Sequence, residues 1–130
     1  MDQRQILSAF NDHFMEFVDD VQSVFPNNDD IATVKTSLVS FRKTNPRLIL
    51  LAFKEHVIGK YRNEIEKGDI NFFIDKDYQQ DVNGIGSAKM ILEKIDCLRQ
   101  PIRDMEQVDQ SKVIKYMQNL MKLSDMYVSN

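Results

Sequence analysis

The stretch that decides the fold is residues 3–25, QRQILSAFNDHFMEFVDDVQSVF. Its apolar side chains recur at steps of three and four residues, the spacing that places side chains on one face of an α-helix. They are Ile6, Leu7, Phe10, Phe14, Phe17, Val18, Val21 and Phe25. Polar and charged residues fill most positions between them, so we expect the opposite face to lie in water. The pattern predicts a long amphipathic helix that ends before Pro26.

The next two segments also have helical spacing. A turn at 27–30 is expected to cap a second helix over about 30–43, and its carboxylates suit the positive end of the helix dipole. The inward residues of this helix are predicted to be Ile31, Val34, Leu38 and Phe41. A third helix is predicted to open at Pro46, because proline fits the first helical position. Its apolar residues are Leu48, Ile49, Leu50, Leu51, Phe53, Val57 and Ile58. A helix that is apolar nearly all round is normally the buried centre of a bundle.

Gly59 can interrupt the third helix, after which Tyr61 and Ile65 prolong the helical pattern to Gly68, a plausible C-terminal stop. Asp69 can cap a short helix over 70–74; one buried strand would fit the same run, but no second strand candidate lies nearby. Residues 75–87 are polar and predict an extended loop. A further helix is expected over 85–98, ended or kinked by Pro101.

The last helix is predicted to run from an Asp109 cap to about Tyr127, with Val108 and Val113 spaced as a hydrophobic staple across the cap. Its inward residues are expected to be Val113, Tyr116, Met117, Leu120, Leu123 and Met126. The sequence therefore predicts an all-α fold, a compact bundle of five or six helices in a single domain over 1–130. One polar loop is expected around 75–87.

Composition sets the broad class of protein. The chain has 130 residues, of which 42% are hydrophobic and 28% charged, with four Gly and three Pro, and these values are typical of a globular protein. The longest apolar run, Leu48 to Phe53, is too short to span a membrane. Residues 1–10 have no basic start followed by an apolar stretch, so we expect no secretory signal. Cys97 stands alone, which indicates a reducing compartment and a small buried side chain rather than a disulfide.

Two glycine- and acid-containing patterns in 75–89 fail as ligand sites. The alternating Asp75, Asp77 and Asp81 suggest a calcium loop, but the required glycine and bidentate glutamate are replaced by Gln80 and Gly86. The stretch 84–89 lacks the Gly-Lys-Ser/Thr ending of a phosphate-binding loop and the third glycine of a dinucleotide-binding loop. A solvated loop is the simpler interpretation of both.

The isolated histidines and the cysteine also lack the neighbouring residues that catalysis or metal binding requires. His13 and Glu16 lie one helical turn apart, but no Glu-x-x-His pair accompanies them as in carboxylate-bridged metal bundles. His56 is expected to be a hydrogen-bonded interior histidine. Cys97 has no histidine near it in sequence, and there is no Gly-x-Ser-x-Gly elbow. We therefore expect no catalytic residues, no cofactor and no metal site.

Charge is unevenly distributed, although the net charge is only −3. Residues 1–30 carry a net charge of −6, residues 31–67 carry +5, and residues 68–130 carry −2. A possible basic contact face for phosphate comprises Lys35, Arg42, Lys43, Arg47, Lys54, Lys60 and Arg62, with Lys67 beyond them. The alternatives are that the acidic first helix lies against these bases, or that they meet an acidic protein. The seven Met, three of them in the last helix, are expected mainly to fill the core.

Residues 45–78 resemble small α-helical proteins of the large nucleocytoplasmic DNA viruses of algae and amoebae. The residues that carry the resemblance are Asn45-Pro46-Arg47-Leu48-Ile49, Tyr61, Ile65-Glu66-Lys67-Gly68-Asp69-Ile70-Asn71-Phe72-Phe73-Ile74-Asp75-Lys76-Asp77-Tyr78, Pro101-Ile102, Lys115-Tyr116-Met117-Gln118-Asn119-Leu120, Lys122-Leu123, and Phe14, Phe17 and Phe25. The resemblance implies a viral origin and expression in a reducing host cell, in the virion or the host cytoplasm rather than outside the cell. It supplies no enzymatic role.

Two functions are compatible with these features. The first is a non-enzymatic structural or interaction protein of a large DNA virus, most concretely a minor capsid protein or other virion component that binds larger shell proteins. Contacts are expected from charged faces and from the segments 68–78 and 79–87. The alternative is a nucleic-acid-associated regulatory protein that uses the basic 35–67 segment.

Overall fold

A computed structural model describes residues 2–75 and 86–127. All regular secondary structure within these residues is helical, which confirms the predicted all-α bundle. The elements are α1 (Gln3–Val24), α2 (Asp29–Thr44), α3 (Leu48–Phe53), a π turn (Lys54–Ile58), α4 (Gly59–Lys67), α5 (Asn71–Ile74), α6 (Gly86–Asp96), α7 (Arg99–Arg103) and α8 (Gln107–Met126). Most of the expected polar loop around 75–87, including the rejected calcium loop, lies outside the described residues. No helix in the described ranges has the length and apolarity needed to cross a bilayer.

The amphipathic pattern of the first segment forms α1. The helix begins with a capping box, in which the Asp2 carboxylate accepts from the Gln5 backbone N–H at 2.9 Å and the Gln5 side chain accepts from the Asp2 N–H at 3.0 Å. The buried side chains of its inner face are Ile6, Phe10, Asn11, Phe14, Phe17, Val18 and Val21. This set confirms the predicted apolar stripe and adds the polar Asn11.

The central helix lies where its composition predicts. Ile49, Leu50, Phe53 and Val57 are all at most 2% exposed. The ring of Phe53 contacts Phe10 and Phe14 of α1, with centroid distances of 5.8 and 5.9 Å. The predicted start at Pro46 is wrong by two residues, because Asn45 to Leu48 form a turn closed by a backbone hydrogen bond of 3.1 Å. The helix proper begins at Leu48.

Residues 48–67 are helical with two irregularities, a π turn at Lys54–Ile58 and a kink at Tyr61, and there is no break at Gly59. Gly59 has helical angles, φ −57° and ψ −31°. The local distortion lies at Tyr61, whose φ of −124° and ψ of 23° are not helical. A π turn places one extra residue in the turn and is commonly found at functional positions in helices. This turn carries His56 into the interior.

The two central glycines have opposite backbone requirements, and this difference yields a paired prediction. Gly68 ends α4 with φ +77°, a left-handed conformation that disfavours a Cβ. We expect Gly68→Ala to lower the free energy of unfolding by about 1 kcal/mol. Gly59→Ala is the matched control, because its φ is helical and an added Cβ would lie 3.5 Å from the Lys54 carbonyl. Gly59→Ala should raise the free energy of unfolding, measured in urea titrations, by up to about 1 kcal/mol. Equal effects of the two changes would contradict this account.

The C-terminal half corrects two boundaries. The Asp69 side chain accepts from the Asn71 N–H at 2.9 Å and α5 follows, so the helix prediction for 70–74 is confirmed over the strand. The helix before Pro101 ends at Asp96, and Pro101 lies in the first turn of α7, where backbone N–H groups have no intrahelical acceptor.

The start of α8 also differs from its prediction. The helix begins at Gln107, so Asp109 lies in its first turn and does not cap it. Val108 is 62% exposed, which rules out the predicted staple, and Met126 is exposed rather than inward. The inner face instead includes Ile114, Met121 and Ser124. Helix α8 packs mainly on α1, and this pair forms the site described next.

Candidate interaction surface

Helices α1 and α8 are antiparallel and leave a groove open along their outer side. Three surface depressions follow one another along it. The first joins Asp20 and Val24 to Asp109 and Lys112, the next joins His13 and Glu16 to Lys115 and Tyr116, and the last joins Ala9 and Asp12 to Lys122 and Leu123. We define the α1–α8 groove by Asp12, His13, Glu16, Asp20, Val24, Lys112, Lys115, Tyr116, Asn119 and Lys122.

The floor of the groove is formed by two rings. The His13 and Tyr116 rings lie 4.8 Å apart between centroids, and Phe17 contacts Tyr116 from below at 5.7 Å. The Tyr116 hydroxyl donates a hydrogen bond to Oδ2 of Asp20. Nδ1 of His13 lies 3.5 Å from Glu16, whereas its buried Nε2 has no hydrogen-bond partner. The floor thus contains a buried polar atom to which none of the described residues gives a hydrogen bond.

The two walls of the groove carry opposite charges. The α1 wall presents Glu16 and Asp20, and the α8 wall presents Lys112, Lys115 and Lys122. Lys112 pairs only loosely with Asp109 of its own helix, at 4.0 Å. Among the described residues, no ion pair crosses from one wall to the other. Both walls therefore present charge to solvent.

The groove raises the pKa of Tyr116 to about 12. Partial burial is the largest cause, followed by the hydrogen bond to Asp20 and the negative charges of Asp20, Glu16 and Asp19. Because the folded state holds this proton more tightly than the unfolded state, the resulting stability is present below pH 10 and is lost as the pH rises through about 12.

This shift predicts an alkaline titration. In absorbance titrations, the tyrosinate absorbance that the wild type has and Tyr116→Phe lacks should develop near pH 12. Asp20→Asn should lower the pH at which this absorbance develops, because the change removes the negatively charged acceptor of the Tyr116 hydrogen bond. Circular dichroism at each pH serves as the control for folding. A difference that develops near pH 10 while the helical signal is intact would contradict the Tyr116–Asp20 contact.

The shape of the groove suits a macromolecule better than a small molecule. Its most enclosed depression has a volume of only about 160 Å³, below the roughly 300 Å³ at which small-molecule pockets begin. The other two, of about 290 and 510 Å³, are open to solvent. A partner would therefore contact the groove along its length rather than enter a cavity.

The bases of the proposed phosphate-contact face are distributed over several elements. Lys35 pairs with Asp19 at 2.6 Å, and Arg42 pairs with Asp12 at 2.7 Å. The acidic first helix thus lies against two of the bases of α2, which is one of the alternatives drawn from the charge pattern. Lys43 is exposed on the same helix.

The remaining bases lie on the central run and near it. Lys54 donates to the Tyr127 carbonyl at 3.0 Å, and both terminal nitrogens of Arg62 bind the Asp125 carboxylate at 2.8 and 2.7 Å. The hydrogen bond from Arg62 lowers the pKa of Asp125 below its usual value. Arg47, Lys60 and Lys67 are exposed. Lys35, Arg42, Lys54 and Arg62 therefore have partners within the described residues, and Lys60 is not free either.

The structure departs from the expectations for two isolated reactive residues, Cys97 and His56. Cys97 is exposed, not buried, because it follows the last residue of α6. Partial desolvation nevertheless raises the pKa of its thiol, the opposite of the shift that activates a nucleophile. His56 is buried as expected, but its Nε2 has no hydrogen bond and lies 3.9 Å from Glu55. The described residues contain no group of three potential metal ligands.

Comparisons with models of known protein families, with curated proteins and with solved structures find no match. The resemblance to helical proteins of large DNA viruses accordingly rests on the residues quoted for it. The assignment of the α1–α8 groove as an interaction surface rests on its geometry alone.

Proposed function

We propose that this chain is a non-enzymatic structural or interaction protein of a large DNA virus, most concretely a minor capsid protein or other virion component that binds larger shell proteins. The observation that carries the interaction role is the α1–α8 groove, whose two charged walls form no ion pair with each other. The virion setting is supported by the sequence resemblance. The chain would then function in the virion or in the cytoplasm of the infected cell.

The groove has three properties of a protein contact surface. It extends along two long helices, α1 and α8, so a partner can contact it over several turns of each. Its charges are of both signs, which favours one orientation of a partner over others. Among the described residues its two walls are not joined by an ion pair, so the exposed charges of Glu16 and Lys115 are available to a partner.

Mass spectrometry of purified particles tests the virion role. The account predicts that the chain is found in particles at a fixed ratio to the main shell protein and is retained after salt washing. A control protein that is abundant in infected cells but not packaged should be lost in the same washes. A chain that is abundant in infected cells and absent from particles would overturn the proposal.

A nucleic-acid-associated regulatory role is the second candidate, and it depends on exposed bases of the 35–67 segment. Lys43 is exposed on α2 and Arg47 just after it, and neither forms an ion pair with a described residue, so they could contact phosphate. Duplex binding by this segment should weaken about tenfold or more over a few-fold rise in salt concentration. The double change Lys43→Glu and Arg47→Glu should then abolish it. Absence of binding at low salt would eliminate this candidate.

A further inference from the structure

Along the length of the α1–α8 groove, acidic side chains of α1 lie opposite lysines of α8. Asp12 shares a depression with Lys122, Glu16 shares one with Lys115, and Asp20 shares one with Lys112. Each level therefore has an acidic group on the α1 wall and a lysine on the α8 wall, and the level of Asp20 also has Asp109 on the α8 wall. Among the described residues no ion pair joins the two walls. Asp12 is already paired with Arg42 of α2, and Asp20 accepts from the Tyr116 hydroxyl, so the level of Glu16 and Lys115 is the one most available to a second copy.

This arrangement is complementary to itself under one symmetry operation. A two-fold axis parallel to the groove turns a second copy to face the first and exchanges its walls, so that each acidic wall meets a basic wall at the same height. A two-fold axis across the groove would instead place acid against acid. We propose that the α1–α8 groove is the interface of a symmetric homodimer, with α1 of each copy packed antiparallel against α8 of the other.

Apolar side chains at the ends of the groove support the same arrangement. One stripe of α8 carries residues that follow one another at steps of four and three. They are Val108, Lys112, Lys115, Asn119, Lys122 and Met126. Val108 and Met126 are 62% and 48% exposed, and Val24 is exposed at the Val108 end of α1. The parallel axis brings Val24 of one copy to the level of Val108 of the other, which would remove both from water.

The dimensions of the groove indicate how strong such a dimer would be. From Ala9 to Val24 the groove is about 23 Å long, and two helices side by side are roughly 20 Å wide. The interface would bury on the order of 900 Å² in total, which is below the roughly 1,000 Å² of a stable specific complex and in the range of weak, transient ones. We therefore expect a reversible dimer with a dissociation constant in the micromolar range, weakened by salt.

Sedimentation equilibrium with charge-reversal variants tests the homodimer. Glu16→Lys and Lys115→Glu should each raise the dissociation constant by tenfold or more, because each places like charges opposite one another twice per dimer. An equimolar mixture of the two variants should associate again as a heterodimer, and the double variant should dimerise with itself. Lys89→Glu on α6 is the matched control and should dimerise as the wild type does. Circular dichroism confirms that every variant is folded.

Two results would overturn the inference: a wild-type chain that remains monomeric at near-millimolar concentration, or single charge reversals that dimerise as tightly as the wild type. The inference names a second copy as the occupant of the same groove that carries the proposed interaction role, so larger shell proteins would contact the dimer outside the groove, and the two proposals can fail separately. A dimeric chain that is absent from particles would reject only the virion role. A monomeric chain found in particles would reject only the homodimer.

Discussion

Replacing Phe14 with alanine lowers the free energy of unfolding by about 4 kcal/mol. Phe14 has no exposed surface, and its ring contacts those of Phe10, Phe17 and Phe53, with centroid distances of 5.8 to 6.0 Å. The change removes apolar burial and leaves a cavity between α1 and the central helix, which a close-packed interior fills only in part. Urea denaturation followed by circular dichroism measures the loss.

Val39→Ala is the matched control for this prediction. Val39 lies on α2 with 37% of its surface exposed, so its truncation should change the stability by less than about 0.5 kcal/mol. A Phe14→Ala loss as small as that of the control would mean that α1 and the central helix do not pack as described.

Replacing Asn11 with aspartate lowers the free energy of unfolding by about 3 kcal/mol at pH 7. Asn11 is 2% exposed, and its Nδ2 donates to the Pro46 carbonyl at 2.9 Å, joining α1 to the turn before α3. The aspartate has the same shape, but it places a carboxylate against that carbonyl with no donor between them. Asn63→Asp, at an exposed position of α4, should change stability by less than about 0.5 kcal/mol.

The cost of Asn11→Asp should depend on pH in a defined direction. An unfolded aspartate ionises near pH 4, whereas burial disfavours the charged form and raises the folded-state pKa. The variant should therefore lose stability relative to the wild type as the pH rises from about 4 towards neutral. A cost that is independent of pH over this range would show that the side chain at position 11 is not buried as described.

The amphipathic helices were predictable from sequence because a single face of each is buried. In α1 the three- and four-residue spacing identifies the buried apolar set, and the apolar run 48–58 marks the centre of the bundle. Helix boundaries were less predictable. Asp109 has the chemistry of a cap, but the backbone of α8 begins at Gln107, and only the surrounding packing selects between the two starts.

The π turn at Lys54–Ile58 could not be predicted from the sequence. A run that is apolar on nearly every side has no hydrophobic stripe whose phase would reveal one extra residue in a turn. Cys97 was misplaced for a related reason, because its exposure depends on where α6 ends and α7 begins. Residue type alone favours burial for a lone cysteine.

The groove was only partly visible in the sequence. The unequal charge of the three segments suggested that the acidic first helix meets basic residues, and the pairs of Asp19 with Lys35 and of Asp12 with Arg42 show this for α2. The lysines of α8 lie far from α1 in sequence, in a segment with a small net charge. Only the antiparallel packing of α1 on α8 places Glu16 and Lys115 on opposite walls at one height.

Cross-linking mass spectrometry on intact particles tests the account most directly. A reagent that joins lysine to carboxylate without a spacer should trap ion pairs between neighbouring molecules. The account predicts that the chain is present in particles and that Lys112, Lys115 or Lys122 is joined to a carboxylate of another protein molecule. A chain that is abundant in infected cells but missing from particles, or packaged with these lysines unlinked to any other molecule, would contradict it.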